Sequence, residues 1–155
     1  MSRQMQSQTH QQTPTHRSRT SRFDIYAGSS ALADLSSVVC AWLFGSSKDG
    51  VVEAGSDIDV GVLFTAKPDL DEMLRVVDAL EAAFGAGEVD LVVLNDASPV
   101  LRFEAISGRR IFCRDEERFA DFFSLTAREY EEAMFYLTRG LRYRREAMAR
   151  RQATQ

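Results

Sequence analysis

The sequence predicts a mixed α/β (α+β) domain: a small mixed sheet flanked by helices, with a C-terminal helical extension. Three observations predict it. Short apolar runs over 41–44, 57–64 and 88–94 have strand character, and the second alternates. Between them, apolar residues recur every three or four positions, as an amphipathic helix requires. Beyond residue 115 the helical pattern continues almost to the end of the chain. Strands interleaved with helices imply helices packed on a sheet.

Leu32, Leu35, Val38 and Val39 stand at helical spacing, which predicts a helix over 29–40. Ala41–Phe44 is a short buried strand that Gly45 ends. Over Asp57–Phe64, Ile58, Val60, Val62 and Phe64 share one face, and Asp57, Asp59, Gly61 and Leu63 share the other. Pro68 opens a helix with a stripe of Leu70, Met73, Leu74, Val77, Leu80 and Phe84, and Gly85-Ala86-Gly87 stops it. Glu88–Leu94 is a second buried strand. Asn95-Asp96-Ala97-Ser98-Pro99 caps a helix running to about Ile106. Gly108 turns the chain into a strand over Arg109–Arg114, and helix follows from Asp115 to about Arg150, with a break expected near Ser124.

At 155 residues and 17.4 kDa the chain is expected to form one domain with a single core. Residues 1–22 are polar and carry a charge of +4, so they are expected to be a disordered tail; Met5 is an alternative start. Residues 23–114 form the core and 115–155 its helical extension. No run approaches a membrane span and no signal-peptide core is visible, so a cytoplasmic location without membrane contact is expected. Cys40 and Cys113 read as buried free thiols. Residues 139–155 carry +5, which leaves −13 on 23–138. An acidic body of that kind repels a nucleic-acid backbone, so no direct nucleic-acid partner is expected. Both histidines, His10 and His16, fall in the tail, which removes histidine-dependent nucleophilic and zinc chemistry from the folded part.

The chemistry gathers elsewhere. Gly45-Ser46 can turn sharply, bring backbone amides against an anion and donate the serine hydroxyl to phosphate oxygens. Alone, such a pair is an ordinary strand-ending turn. Asp57 and Asp59 stand two apart on a strand and so return to one face, spaced to share a pair of magnesium ions. Asp90 is a carboxylate inside an otherwise apolar strand, where burial without a partner is costly. Each has a bland explanation in a solvated strand face or edge. As a set, three carboxylates opposite a Gly-Ser turn describe a magnesium–nucleotide site.

Phe44-Gly45-Ser46, Ser56-Asp57-Ile58-Asp59-Val60 and Val89-Asp90-Leu91 together resemble the DNA polymerase β-type nucleotidyltransferase superfamily. The short length resembles its minimal nucleotidyltransferases. The run from Val89 through Asn95-Asp96-Ala97-Ser98-Pro99 to Arg102 is similar to the antitoxins of HEPN–MNT (type VII) toxin–antitoxin pairs. That resemblance covers about 25–150 and implies a polymerase β-like nucleotidyltransferase core. It also implies an adenylyltransferase that moves AMP from ATP to a tyrosine of a HEPN ribonuclease toxin. Asp57, Asp59 and Asp90 would be the metal ligands for two Mg2+, with Asp90 the third ligand or base. Gly45, Ser46 and Lys48 would bind the nucleotide. One departure stands out: relatives usually carry arginines where this chain has Ser47 and Asp49, flanking Lys48. A non-catalytic antitoxin that neutralises by binding alone, and a transferase for a small-molecule hydroxyl such as an aminoglycoside, are the alternatives. Tyr130, Met134, Leu137, Leu141 and Met148, widened by Phe135, Tyr136 and Tyr143, suit either core packing or a face for the toxin or a homodimer mate.

Overall fold

The computed structural model describes residues 19–153. The disorder expected of the tail, both histidines and Met5 lie outside these residues, apart from the tail's last few positions. Those positions depart from the expectation: Thr20–Arg22 form a strand, β1, antiparallel to β3 (Val51–Glu53). Backbone pairing needs no apolar side chain, so composition gives no sign of this two-stranded ribbon.

The main sheet has four strands in the order β5 (Val89–Val93), β4 (Ile58–Phe64), β2 (Val38–Leu43), β6 (Arg109–Cys113). β4 and β5 run parallel, and the pairings of β2 with β4 and β6 are antiparallel. The parallel pair is joined by α2 (Leu70–Phe84), as a same-direction neighbour requires a crossover. α1 (Ala27–Ala33) also packs on α2's side, while α3 (Pro99–Ile106) and α4 (Glu116–Ala153) cover the opposite face. The sheet thus divides the interior into two layers rather than the single core expected. Ile58, Val60, Val62 and Phe64 meet Leu32, Val76, Leu80 and Phe84 on one side. Trp42, Leu63, Leu94 and Ala105 fill the other, where the indole lies 5.9 Å from the Phe119 ring and 6.4 Å from Phe122. That contact anchors the first turns of α4.

Three features of the elements differ from the expectation. Val38, Val39 and Cys40 belong to β2, not to a helix: α1 stops at Ala33, and the two adjacent β-branched valines suit the pleated strand. In α2 the wholly buried line is Val76, Leu80 and Phe84, spaced by four, while Leu70 and Leu74 are exposed on the flank. α4 passes Ser124 without a break, because Thr126 and its neighbours pack on α3 and the sheet rather than turning away. From Phe135 to Ala153 every residue of α4 is exposed, so core packing explains Tyr130 and Met134 but not Leu137, Leu141 or Met148. None of the described helices is long and apolar enough to cross a membrane.

Local chemistry fixes the ends of α2. Asp69 Oδ1 accepts from the Glu72 amide at 2.8 Å, and Glu72 Oε2 accepts from the Asp69 amide at 3.1 Å. Gly85 closes the helix in the left-handed region at φ 59° and donates to the Glu81 carbonyl. Losing the reciprocal cap in Asp69→Ala should cost about 1 kcal/mol. Thermal unfolding should then shift down by about 2–4 °C; an unchanged midpoint would show that the cap adds nothing here.

Candidate active site

β2 delivers the turn, β4 delivers Asp59 and β5 delivers Asp90. Gly45 adopts φ +65° at the start of a single 3-10 turn, Gly45–Ser47, directly after β2. A Cβ on Gly45 would overlap Asp59 Oδ2, so the missing side chain is what lets the turn lie against that carboxylate. The Phe44 amide donates to the Asp59 carbonyl at 3.1 Å, which holds turn and strand in this relation. Asp59 stands directly opposite Asp90 in the parallel register of β4 and β5. In-register neighbours share a face, here the α3 side, where Glu104 also approaches.

The electrostatics record this crowding. Burial first, then Asp90, Asp57 and Glu104, hold the Asp59 carboxyl above the ordinary carboxylate range. Sequence reasoning missed Glu104, since one exposed acid on a helix carries no distinguishing pattern. Asp90 is exposed rather than buried, because β5 is the edge strand; its significance lies in its register with Asp59, not in desolvation. Asp57 precedes β4, so strand alternation does not govern where its side chain goes, and it too is exposed. Among the described residues no three carboxylate, thiol or imidazole groups converge closely enough to cage an ion by themselves. The donor set still fits magnesium, which takes one or two carboxylates and completes its shell with water and substrate phosphates. Mutual repulsion around Asp59 is what such a cation relieves.

Ser46 and Lys48 are exposed on the turn, whereas Ser47 is wholly buried, with no hydrogen-bond partner for its Oγ among the described residues. The acid gained at position 49 is neutralised locally: Arg109 Nη2 meets Asp49 Oδ1 at 3.3 Å. A shallow cleft runs between this pair, Lys48 and Arg110, giving the turn a cationic neighbour. On its other side lies a cavity of about 500 Å3, bounded by Gly45, Lys48, Val100, Phe103, Glu104 and Tyr130 among others. The Phe103 and Tyr130 rings stack at 4.0 Å with an interplanar angle of 10°. These aromatics and Arg109 were not visible as site residues, because only α3, α4 and β6 packing brings them to the turn.

The run from Asn95 to Arg102 proves to be the support of β5. Asn95 Oδ1 accepts from the Phe64 amide and its Nδ2 donates to the Phe64 carbonyl, tying the end of β5 to the end of β4. Ser98 caps α3 through the Leu101 amide, with Pro99 in the first helical position. Arg102 donates to the Leu94 and Asn95 carbonyls at 3.0 and 2.9 Å and pairs with Glu129 of α4 at 3.0 Å. Strand, helix and extension are locked around the carboxylate pair.

Two crystal structures share this architecture. A mutant of the toxin–antitoxin pair MntA–HpeT matches over 77% of this chain and 90% of the other, at 24% identity and a TM-score of 0.52. A toxin–antitoxin solved with AMP-PNP matches over the same shares, at 24% identity and a TM-score of 0.51. A tri-AMPylated HEPN toxin in complex with its MNT antitoxin, from Shewanella oneidensis, matches at 23% identity over 77% and 87%, with a TM-score of 0.48. No curated protein matches the chain. The sequence model described as polymerase beta, nucleotidyltransferase matches residues 29–117, from α1 through the start of α4, and so spans the Gly45 turn and the acidic residues of the site. The chain belongs to the polymerase beta nucleotidyltransferase family.

Proposed function

We propose that the protein is an antitoxin that transfers AMP from ATP to a tyrosine of a HEPN ribonuclease toxin. The observation that carries this reading is the in-register pair Asp59–Asp90 beside the Gly45 turn. The shared fold with a toxin–antitoxin solved with AMP-PNP supports an adenine nucleotide as donor. Turn amides at Gly45 and Ser46, with Lys48 and Arg109, hold the triphosphate. Asp57, Asp59 and Asp90 would hold two magnesium ions, which would supply positive charge to neutralise the phosphates and polarise the α-phosphorus. Asp90, on the exposed edge strand, takes the proton from the incoming tyrosine hydroxyl. That oxygen forms a bond to the α-phosphorus as the bond to the bridging oxygen breaks, and pyrophosphate leaves. The cavity at Phe103 and Tyr130 seats the base. The projecting half of α4, with exposed Phe135, Tyr136, Leu141 and Tyr143 among its arginines, meets the toxin.

The test is incubation of the full chain with Mg2+, ATP labelled at the α-phosphate, and the product of the neighbouring reading frame. Label recovered on a tyrosine of that product, with loss of its ribonuclease activity, supports the reading. Neutralisation without transferred label would instead establish antitoxin action by binding alone. Turnover of an aminoglycoside with no protein labelling would place the chemistry on a small molecule.

A further inference from the structure

We propose that Cys40 and Cys113 form a reversible intramolecular disulfide through exchange with a low-molecular-weight disulfide. The two are 73 residues apart in sequence but direct register partners across β2 and β6, with their Sγ atoms 2.7 Å apart. The Arg114 amide donates to the Val39 carbonyl at 2.7 Å. That bond joins the residues flanking the pair, which makes Cys40 and Cys113 a non-hydrogen-bonded position of the antiparallel ladder. Opposed Cα atoms at such positions are closest, about 4.5 Å, and their side chains lie on one face. A disulfide spans Cα separations of about 4.4–6.8 Å, so the bond closes without moving either strand.

The environment assigns the order of events. Cys40 is wholly buried, and Cys113, at the root of α4, is partly exposed. Burial and the adjacent sulfur push the Cys40 thiol well above the ordinary thiol range, so it is not the first to react. Cys113, as thiolate, attacks one sulfur of the small disulfide; that S–S bond breaks and one small thiolate departs through the exposed side. Cys40 then attacks Cys113 Sγ; the bond from Cys113 to the small sulfur breaks, and that sulfur takes up the Cys40 proton and departs as the second small thiol. Two protein thiols become one disulfide, and the small disulfide is reduced to two thiols. The product ties β2 to β6 and closes a loop that contains β4, α2, β5 and α3. Gly45 lies beyond the far end of β2, roughly 16 Å along the strand from Cys40, so the staple acts on stability and leaves the acidic cluster as it was.

The full chain, treated with oxidised glutathione and analysed by intact mass, thiol titration and thermal unfolding, tests this. Wild type should form no disulfide between chains, lose both thiols and about 2 Da, and unfold about 5–15 °C higher, all reversed by dithiothreitol. Cys40→Ser should stop at one glutathione adduct on Cys113 with no such rise. Cys113→Ser, altered at the more exposed position and so the safer variant for folding, should remain unmodified while native. Wild type that stops at an adduct, links into disulfide dimers, or keeps both thiols overturns the proposal.

Discussion

Replacing Asp59 with Asn should lower nucleotidyl transfer by at least about 10^3-fold, some 4 kcal/mol in the barrier, while raising the melting temperature of the nucleotide-free protein. Both effects have one cause. Asp59 is pressed by Asp90, Asp57 and Glu104 in a partly buried position, so its charge works against the fold and for the reaction. Its raised value sets the sign of the pH dependence. Protonated Asp59 favours the fold below the ordinary carboxylate range, and that gain is lost as pH climbs through the raised value. In wild type this stabilising contribution should therefore fade across that window; in Asp59→Asn it should not. Because the group is only partly buried and solvent screens much of the repulsion, the gain at neutral pH should stay within about 2–4 °C, near 1 kcal/mol. Added Mg2+ with a non-hydrolysable ATP analogue should raise the wild-type midpoint and leave the variant unmoved. A variant that transfers AMP at the wild-type rate would remove Asp59 from the chemistry.

Gly45→Ala should damage both stability and activity. A left-handed φ of +65° costs a side-chain-bearing residue about 1–3 kcal/mol, and the new methyl meets Asp59 Oδ2. The carboxylate must swing from its place opposite Asp90, and a shift of about 1 Å in a reacting constellation costs about 10^2-fold in rate. The two contributions separate in the Asp59→Ala background, where the overlapping oxygen is gone. There Gly45→Ala should lose only the backbone component, and the difference reads the contact directly. Wild-type transfer by Gly45→Ala would show that the turn does not set the position of Asp59.

How much of this was legible beforehand varied with the range of the interaction. The alternation of Ile58, Val60, Val62 and Phe64 placed Asp59 and Gly61 on the opposite face, and β4 obeys it. Gly85, Ser98 and Pro99 marked helix ends through local backbone chemistry, whereas the start expected at Pro68 proved to be the Asp69 cap. The α1–β2 boundary was missed because Leu32, Leu35 and Val38 fit a helical period as well as a strand start, and only sheet pairing distinguishes them. β1 was missed because its partner, β3, is itself three residues long.

Residue types and their spacing were enough for the family, the Gly-Ser turn, the trio Asp57, Asp59 and Asp90 as candidates, and the charge contrast between the body and the end of the chain. Those depend on residue type and short spacing, which a linear string carries in full. Folding alone brings Asp90 beside Asp59 on an edge strand, Glu104 and Arg109 to the site, and two distant thiols into contact. Each of these depends on strand order and register, which arise from long-range packing between segments that carry no record of one another.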